Sequence, residues 1–186
     1  MKKVAVSDMN LIKKFKAGDE SAFEELVKRY QKKVYNTTYR MMGNREDAND
    51  LAQEAFLRVY RKLDRFKGNS SFSTWLFTVT TNLCRDEMRK RQRRLQTTSL
   101  SEKERNIPDE MMSPEDLSLQ RELRDKLQQV IDKLPNKHRE VIILREFQGL
   151  SYDEIAEVTG VSMGTVKSRL SRARRSIKQE LKSRNL

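Results

Sequence analysis

The chain has 186 residues and carries 39 Lys and Arg against 27 Asp and Glu, a formal net charge of +12. This excess of positive charge indicates a polyanionic partner, meaning nucleic acid or, as the weaker choice, an anionic membrane surface. With no apolar run of signal-peptide or membrane-span length and a single cysteine, we expect no membrane insertion, no internal disulfide and a location in a reducing cytoplasm.

Two helices are expected at the start of the chain. The first covers about residues 9–16 and is closed by Ala17-Gly18-Asp19. The second starts at Ser21 and ends at Met41 or Met42, because Gly43 and Asn44 follow. The apolar residues at helical spacing in both segments are assigned to the core.

The next segment predicts a helix with one apolar and one acidic face. The apolar face is formed by Ala48, Ala52, Ala55, Phe56, Val59 and Leu63. Asp47, Asp50 and Glu54 lie on the other side at i, i+3 and i+7, with Leu51 between the two faces. In a basic chain, a concentrated acidic face favours docking to a protein over contact with DNA. Two alternatives stay open: the acids favour a helix N-terminus, or they bind a divalent metal.

A small polar turn from Lys67 to Ser71 precedes another helix, which starts near Ser73. Its buried side is predicted to contain Leu76, Val79 and Leu83. Another face carries Thr78, Asn82, Arg85 and Arg89, with Trp75 at its edge. Amide, guanidinium and aromatic groups in this pattern fit recognition of an unpaired base, although Trp75 fits the core equally well. The basic run 90–94 is typical of phosphate contact.

Helical periodicity fails between about residues 95 and 118, where two prolines, many hydroxyl side chains and an acidic bias predict a flexible linker. It returns at Leu119 and continues through Leu134, after which Pro135 starts a new turn. The predicted fold class is therefore all-α, with a domain at 1–94, a linker at 95–118 and a second domain at 119–186.

The segment from Leu150 to Ile177 predicts a helix-turn-helix. Ser151 and Glu154 form a capping box, and Gly160 occupies the turn where a positive φ is needed. The second helix starts near residue 163 and presents an apolar face formed by Val166, Leu170, Ala173 and Ile177. Its opposite face is basic and rich in hydroxyls: Lys167, Ser168, Ser171, Arg172 and Arg175. This division suits a helix that reads the DNA major groove, whereas the alternative is an ordinary amphipathic surface helix.

Four motifs resemble the bacterial extracytoplasmic-function (ECF) sigma factors of the sigma-70 family: D-A-N-D-L-A-Q-E-A-F, F-K-G-N-S-S-F-S-T-W-L-F, L-P-N-K-H-R-E-V-I-I-L-R and L-S-Y-D-E-I-A-E-V-T-G-V-S-M-G-T-V-K-S-R-L-S-R-A-R. They occur in the family's order over almost the whole chain. The resemblance implies two helical domains, sigma regions 2 and 4, and a non-enzymatic subunit without a cofactor. This subunit binds core RNA polymerase at the coiled coil of its largest subunit and at its flap region, directs initiation at promoters, and is held inactive by an anti-sigma factor.

The resemblance also implies roles for individual residues. The polymerase contact is expected from Asp47, Asp50, Leu51, Gln53, Glu54 and Phe56. Capture of a flipped base of the −10 element is expected from Phe66, Lys67, Gly68, Asn69, Ser70, Ser71 and Asn82, with Arg85 and Arg89 beside them. Reading of the −35 element is expected from Lys167, Ser168, Ser171 and Arg172, with Arg169 and Arg174 on phosphates.

The chain departs from the family pattern at several positions. Asn49 stands where an acid is usual and weakens the acidic face. Ser171 and Asn69 leave the −35 preference and the identity of the flipped base open. Trp75-Leu76 replaces a pair of tryptophans, which predicts weak melting of DNA.

Two other classes of protein fit parts of the chain. A dimeric helix-turn-helix repressor explains the last third of the chain but not the acidic helix. A metal-dependent nuclease using Asp47, Asp50 and Glu54 has no accompanying nucleophile–base pair. Without polymerase, the linker allows the two domains to fold against each other, an arrangement in which we expect both DNA-reading faces to be hidden.

Overall fold

The computed structural model describes residues 6–97 and 125–183, without the side chains of residues 95–97. Within these ranges the regular elements are all helical, which confirms the predicted all-α class. The predicted linker from residue 98 onward and the return of helical pattern at Leu119 lie outside the described residues. Residues 95–97 belong to the helix Phe72–Thr97, so helical structure continues three residues past the predicted boundary at residue 94, and the division into domains stays a prediction.

The first domain contains four helices: α1 (Asp8–Lys16), α2 (Ser21–Met42), α3 (Arg45–Lys62), followed by a 3-10 turn (Leu63–Arg65), and α4 (Phe72–Thr97). Ser7 caps α1 by accepting a hydrogen bond from the Asn10 N–H. Gly43 ends α2 with φ at 77°, a left-handed conformation that favours glycine. The helices expected at 9–16 and from Ser21 to Met42 are therefore present.

The second domain contains α5 (125–132), α6 (Asn136–Ile142), α7 (Tyr152–Thr159) and α8 (Met163–Ser183). A π-helical segment (Ile143–Phe147) extends α6 and directs the chain into the loop before α7. Pro135 stands immediately before α6, where its missing N–H costs no helical hydrogen bond. The helix-turn-helix is formed by α7 and α8.

One hydrophobic cluster lies inside the first domain and joins all four of its helices. It contains Leu11, Ile12, Leu26, Ala55, Val59, Leu76 and Leu83 among others. The apolar face predicted for α3 is largely buried, since Ala48, Ala52, Ala55, Val59 and Leu63 are all inaccessible, while Phe56 is half-buried. Burial of these side chains fixes the orientation of α3 and leaves its acidic side outward.

The other hydrophobic cluster crosses between the domains. Met41 of α2 and Phe77 and Cys84 of α4 pack with residues of the second domain, including Ile131, Leu144, Ile155, Val158 and Leu170. Gly43 lies so close to this domain that an added Cβ would meet a carboxylate oxygen of Asp132 at 3.2 Å. The domains thus share a core and pack directly against each other.

Candidate protein and nucleic-acid interfaces

The acidic side of α3 divides into exposed and paired carboxylates. Asp50 and Gln53 are exposed, and Glu54 accepts a hydrogen bond from Arg58 Nε at 2.7 Å. Asp47 differs, because its carboxylate forms an ion pair with Arg91 of α4 and its N–H donates to Asn44, the N-cap of α3. Asp47 therefore fastens α3 to α4. The acidic side that faces solvent is thus formed by Asp50 and Glu54, which follow Asp47 along the helix.

An apolar residue that the motif did not include extends this face. Leu57 is 51% exposed, a large value for leucine. It lies one turn beyond Gln53 and Glu54, while Leu51 and Phe56 are half-buried beside them. Exposure of an apolar side chain beside carboxylates is typical of a protein contact. The helical spacing of residues 50, 54 and 57 could have revealed it in the sequence.

The loop between the 3-10 turn and α4 is held in place by contacts with α1. Lys16 donates a hydrogen bond from Nζ to the carbonyl of Phe66 at 2.8 Å. Gly68 adopts φ at 75°, and an added Cβ there would meet Met9 at 3.2 Å. Phe66 is buried with Phe72 and Trp75. Its ring is therefore part of the core rather than available to a base.

The remaining loop residues face solvent or cap the next helix. Lys67, Gly68 and Asn69 are exposed. Ser71 accepts a hydrogen bond from the Thr74 N–H at 3.1 Å, which makes it the N-cap of α4. The loop thus presents a lysine, an amide and open backbone.

The polar face of α4 continues from this loop. Asn82 and Arg89 are exposed, and Asn82 Oδ1 accepts a hydrogen bond from Arg85 Nη1 at 2.7 Å. Trp75 lies half-buried at the start of the face, with its ring centre 5.0 Å from that of Phe66. The exposed loop thus leads directly into α4, and Asn82 and Arg89 are exposed further along the same helix.

The helix-turn-helix has the predicted local geometry. Ser151 accepts a hydrogen bond from the Glu154 N–H, and Glu154 accepts one from the Ser151 N–H at 2.8 Å, completing the capping box. The hydrogen bond from Ser151 lowers the pKa of the Glu154 carboxyl below its ordinary value. Gly160 closes α7 at φ of 68°, and Ser162 caps α8 through the Thr165 N–H.

The outward face of α8 is open. Val166, Leu170 and Ala173 are buried and hold the helix against the domain. The exposed side carries most of the residues predicted to contact the −35 element: Lys167, Ser168, Ser171, Arg172 and Arg174, with Arg169 partly exposed. Arg174 contacts Glu146 at 2.8 Å. His138 of α6, which the motifs did not single out, lies close enough for Arg172 and Arg169 to act on it. Burial first, and then these two positive charges, lower its pKa.

Contacts between the domains engage part of the first domain's polar face. Arg85 Nη2 lies 2.6 Å from Glu140 Oε1 of α6 and 3.4 Å from the carbonyl of Val158 of α7. At the other end of the interface, Arg40 stacks on the Phe147 ring at 3.7 Å. The expectation that packing hides both DNA-reading faces is thus wrong for α8, whose face stays exposed, and holds on α4 only for Arg85, since Asn82 and Arg89 remain exposed.

The described residues contain neither a group of side chains suited to a metal ion nor a helix suited to spanning a membrane. In residues 6–97 and 125–183, no three acidic, histidine or cysteine side chains are grouped so that they could hold a metal ion. No helix in the same ranges has the length and apolarity needed to span a membrane.

Comparison with known proteins gives two family matches, which cover the two domains separately. Residues 26–94 match Sigma-70 region 2, and residues 124–177 match Sigma-70 region 4. Two solved structures resemble the whole arrangement. The sigma factor RpoE of Bartonella quintana, in complex with the anti-sigma factor NepR, matches 86% of this chain and 96% of its own (TM-score 0.71, 28% identity). CnrH, in complex with the cytosolic domain of CnrY, matches 96% and 99% (TM-score 0.72, 27% identity).

Relatives of this chain match along nearly its full length. The ECF RNA polymerase sigma factor SigW of Bacillus subtilis is 40% identical over 178 residues, which is 92% of this chain and 95% of SigW. The ECF RNA polymerase sigma-E factor of Escherichia coli K12 is 38% identical and covers 92% and 93% of the two chains. Both alignments extend across the two domains of this chain. The chain belongs to the ECF family of RNA polymerase sigma factors, the non-enzymatic subunits that direct core polymerase to promoters.

Proposed function

We propose that this sigma factor divides its work among three surfaces: α3 for core polymerase, the α4 surface with its preceding loop for the −10 element, and α8 for the −35 element. The observation that carries the proposal is the separation of charge between them. The solvent-facing acids Asp50 and Glu54 stand on α3, whereas the basic side chains assigned to DNA stand on α4 and α8, in a chain with net charge +12. Acidic groups repel DNA phosphates and attract a basic protein surface, so the three surfaces select different partners.

Core polymerase docks on the part of α3 that faces solvent. Asp50, Gln53 and Glu54 supply the polar contacts, and Leu57 supplies apolar area that water now covers. Leu51 and Phe56 are half-buried and support this surface from the side. Asp47 acts indirectly, because its pair with Arg91 sets how α3 lies on α4.

The −10 element is bound as single-stranded DNA at the end of the first domain. Lys67 and Asn69 are exposed in the loop, where an amide and open backbone offer donors and acceptors to the edge of a flipped base. Asn82, Arg85 and Arg89 continue the surface along α4 toward the phosphates. Phe66 is excluded from base contact, since its ring is buried.

The −35 element is read as a duplex by α8 in the major groove. Lys167, Ser168, Ser171 and Arg172 form one exposed stripe, and guanidinium and hydroxyl groups pair well with base edges there. Arg169 and Arg174 flank the stripe and contact phosphates. The proposed domains are residues 1–94 and 119–186, joined by a linker at 95–118 into which α4 extends as far as Thr97.

An anti-sigma factor is the proposed regulator. This inference is supported by RpoE of Bartonella quintana, which was solved in complex with the anti-sigma factor NepR and matches 86% of this chain. CnrH, which matches 96% of this chain, was likewise solved with a bound protein segment, the cytosolic domain of CnrY. Because polymerase and promoter DNA are the partners, the cytoplasm is the proposed place of action.

The test is run-off transcription with added core polymerase on a genomic promoter library, followed by mapping of the start sites. The proposal predicts starts that depend on this chain and share a −10 and a −35 motif at fixed spacing. Starts that share only one motif would contradict the division of the two elements between α4 and α8.

A further inference from the structure

Arg85, a side chain proposed to bind the −10 element, also takes part in the contact between the domains. Arg85 belongs to the α4 surface assigned to the −10 element, yet its guanidinium lies 2.6 Å from the carboxylate of Glu140 in the second domain. The same guanidinium holds Asn82 through Oδ1 at 2.7 Å. The polar groups of two neighbouring −10 residues are therefore linked to one carboxylate of the other domain.

Arg85 is the main group that compensates the charge of Glu140, and Arg169 contributes less. Glu140 is 4% exposed, and it emerges from the middle of α6 into the shared core. Burial raises the pKa of its carboxyl, and Arg85 opposes that shift. A buried carboxylate is costly unless it is paired. Separation of the domains would return both groups to water, so the pair exists only while the domains are together.

Additional contacts elsewhere in the interface hold the same arrangement of the domains. Arg139 donates from Nη1 to the Met41 carbonyl at 3.0 Å. Gln128 donates to the Arg40 carbonyl at 3.2 Å, and the Arg40 guanidinium stacks on Phe147. All of these side chains bridge the end of α2 and the second domain, and none belongs to the exposed α8 stripe. The arrangement thus restricts one DNA surface and leaves the other free.

We propose that this closed arrangement is a resting form in which Glu140 occupies Arg85 in place of the −10 strand. A phosphate and the Glu140 carboxylate are both anions competing for one guanidinium, and the two bound states exclude each other. Free sigma factor therefore binds −10 DNA weakly, and opening of the domains restores the surface. The inference rests on the proposed assignment of the −10 surface to α4.

The chain contains a natural probe of opening. Cys84, its single cysteine, is buried in the interdomain cluster next to Arg85. Burial, followed by the negative charge of Glu140, raises the pKa of its thiol to about 12. Thiol reagents react with the thiolate, so the closed form reacts slowly. Separation of the domains exposes the sulfur and lowers its pKa, and labelling then reports the open population.

The experiment compares the full chain with Glu140→Gln, which removes the charge that captures Arg85 and keeps the side-chain volume. Labelling of Cys84 by a disulfide reagent should be about tenfold faster in the variant when rates measured across a range of pH are compared at equal thiolate fraction. This comparison is needed because loss of the Glu140 charge also lowers the pKa of the thiol directly. The affinity of the variant for a fluorescent single-stranded −10 oligonucleotide should rise about tenfold, because apparent affinity scales with the competent fraction. Glu157→Gln is the control, since it makes the same charge change at an exposed position of α7.

A second variant, Phe147→Ala, opens the interface from the Arg40 side without altering charge near Arg85, and it should raise both readouts in the same direction. The proposal is overturned if neither variant labels faster than the control, or if faster labelling brings no gain in oligonucleotide affinity. Run-off transcription with core polymerase separates this failure from failure of the proposed function. Normal promoter-specific initiation by the parent chain would leave the surface assignments standing while the resting form was rejected.

Discussion

Arg172 is the residue with the clearest expected effect on promoter sequence. Its side chain is exposed in the middle of the α8 stripe, where a guanidinium in the major groove pairs with one base. Arg172→Ala should cost about 1–3 kcal/mol at the preferred site and relax the preference at one position of the −35 element. Lys182→Ala, in the last turn of α8, should weaken binding evenly across sequences. Selection of bound duplexes from a randomised −35 pool measures both, and identical profiles would assign Arg172 to phosphate alone.

His138 is expected to report −35 binding through its pKa. In the free protein the pKa of His138 is lowered from its ordinary value by burial and by the positive charge of Arg172 and Arg169. DNA phosphates that approach these arginines cancel their field, so the pKa should rise in the complex. A group whose pKa rises on binding strengthens the complex below its free pKa, and this contribution is lost as pH rises through the bound pKa.

The chain has one histidine, so its ring signals in an NMR titration are assigned without ambiguity. The measured pKa should increase on addition of a −35 duplex, and Arg172→Ala should increase it in the free protein. Lys182→Ala serves as the control and should leave it in place. An unchanged pKa in the complex would show that DNA does not approach this side of α6.

At the scale of one element, the turn between α7 and α8 depends on Gly160. Its φ of 68° is a left-handed conformation, and no atom lies within 4 Å of an added Cβ. Replacement therefore acts through the backbone alone. Gly160→Ala should lower the free energy of unfolding by about 1–2 kcal/mol, and Gly160→Asn by less, because asparagine tolerates this conformation. Urea denaturation of the full chain measures the difference, and equal stability of both variants would contradict the argument.

The exposed acidic side of α3 leads to a prediction about affinity for core polymerase. Charge reversal at Asp50 and Glu54 should reduce affinity for core polymerase by roughly 2 kcal/mol or more where those pairs become desolvated. Folding should change little, because Asp50 is exposed and the Glu54–Arg58 pair lies on the surface. Reversal at the exposed Glu24 and Asp64 makes the same change in net charge elsewhere. Competition with a labelled parent sigma factor measures affinity, and equal affinity of the two double variants would reject α3 as the docking helix.

Local pattern predicted these elements well, and it failed where distant residues meet. The alanines at helical spacing along α3 and the Ser151–Glu154 capping box depend only on residues a few positions apart, so both can be predicted from the sequence. The motif predicts that Phe66 contacts a flipped base, whereas in the structure its ring is buried by packing with Phe72 and Trp75. Pairing of Arg85 with Glu140 joins different domains, and no periodicity encodes such a contact.

For the molecule as a whole, the two DNA surfaces must move apart before both promoter elements are read. Elements about one and a half turns apart, at about 10.5 base pairs per turn and 3.4 Å per step, are separated by roughly 55 Å. Residues 98–124, which connect α4 to α5, number roughly 27 and reach about 90 Å at full extension. The connection is thus long enough to let polymerase separate the domains.

Deletion of residues 98–113 should uncouple the two surfaces. The remaining connection of roughly 11 residues reaches about 36 Å at full extension, which is less than the separation of the elements. The shortened protein should still bind core polymerase through α3 but lose the dependence of transcription on the −35 sequence. Replacement of the same residues by an equal number of glycines and serines keeps the reach and should preserve that dependence. Run-off transcription from templates with intact and scrambled −35 elements distinguishes the two proteins, and −35-dependent initiation by the shortened protein would show that the connection does not bridge the elements.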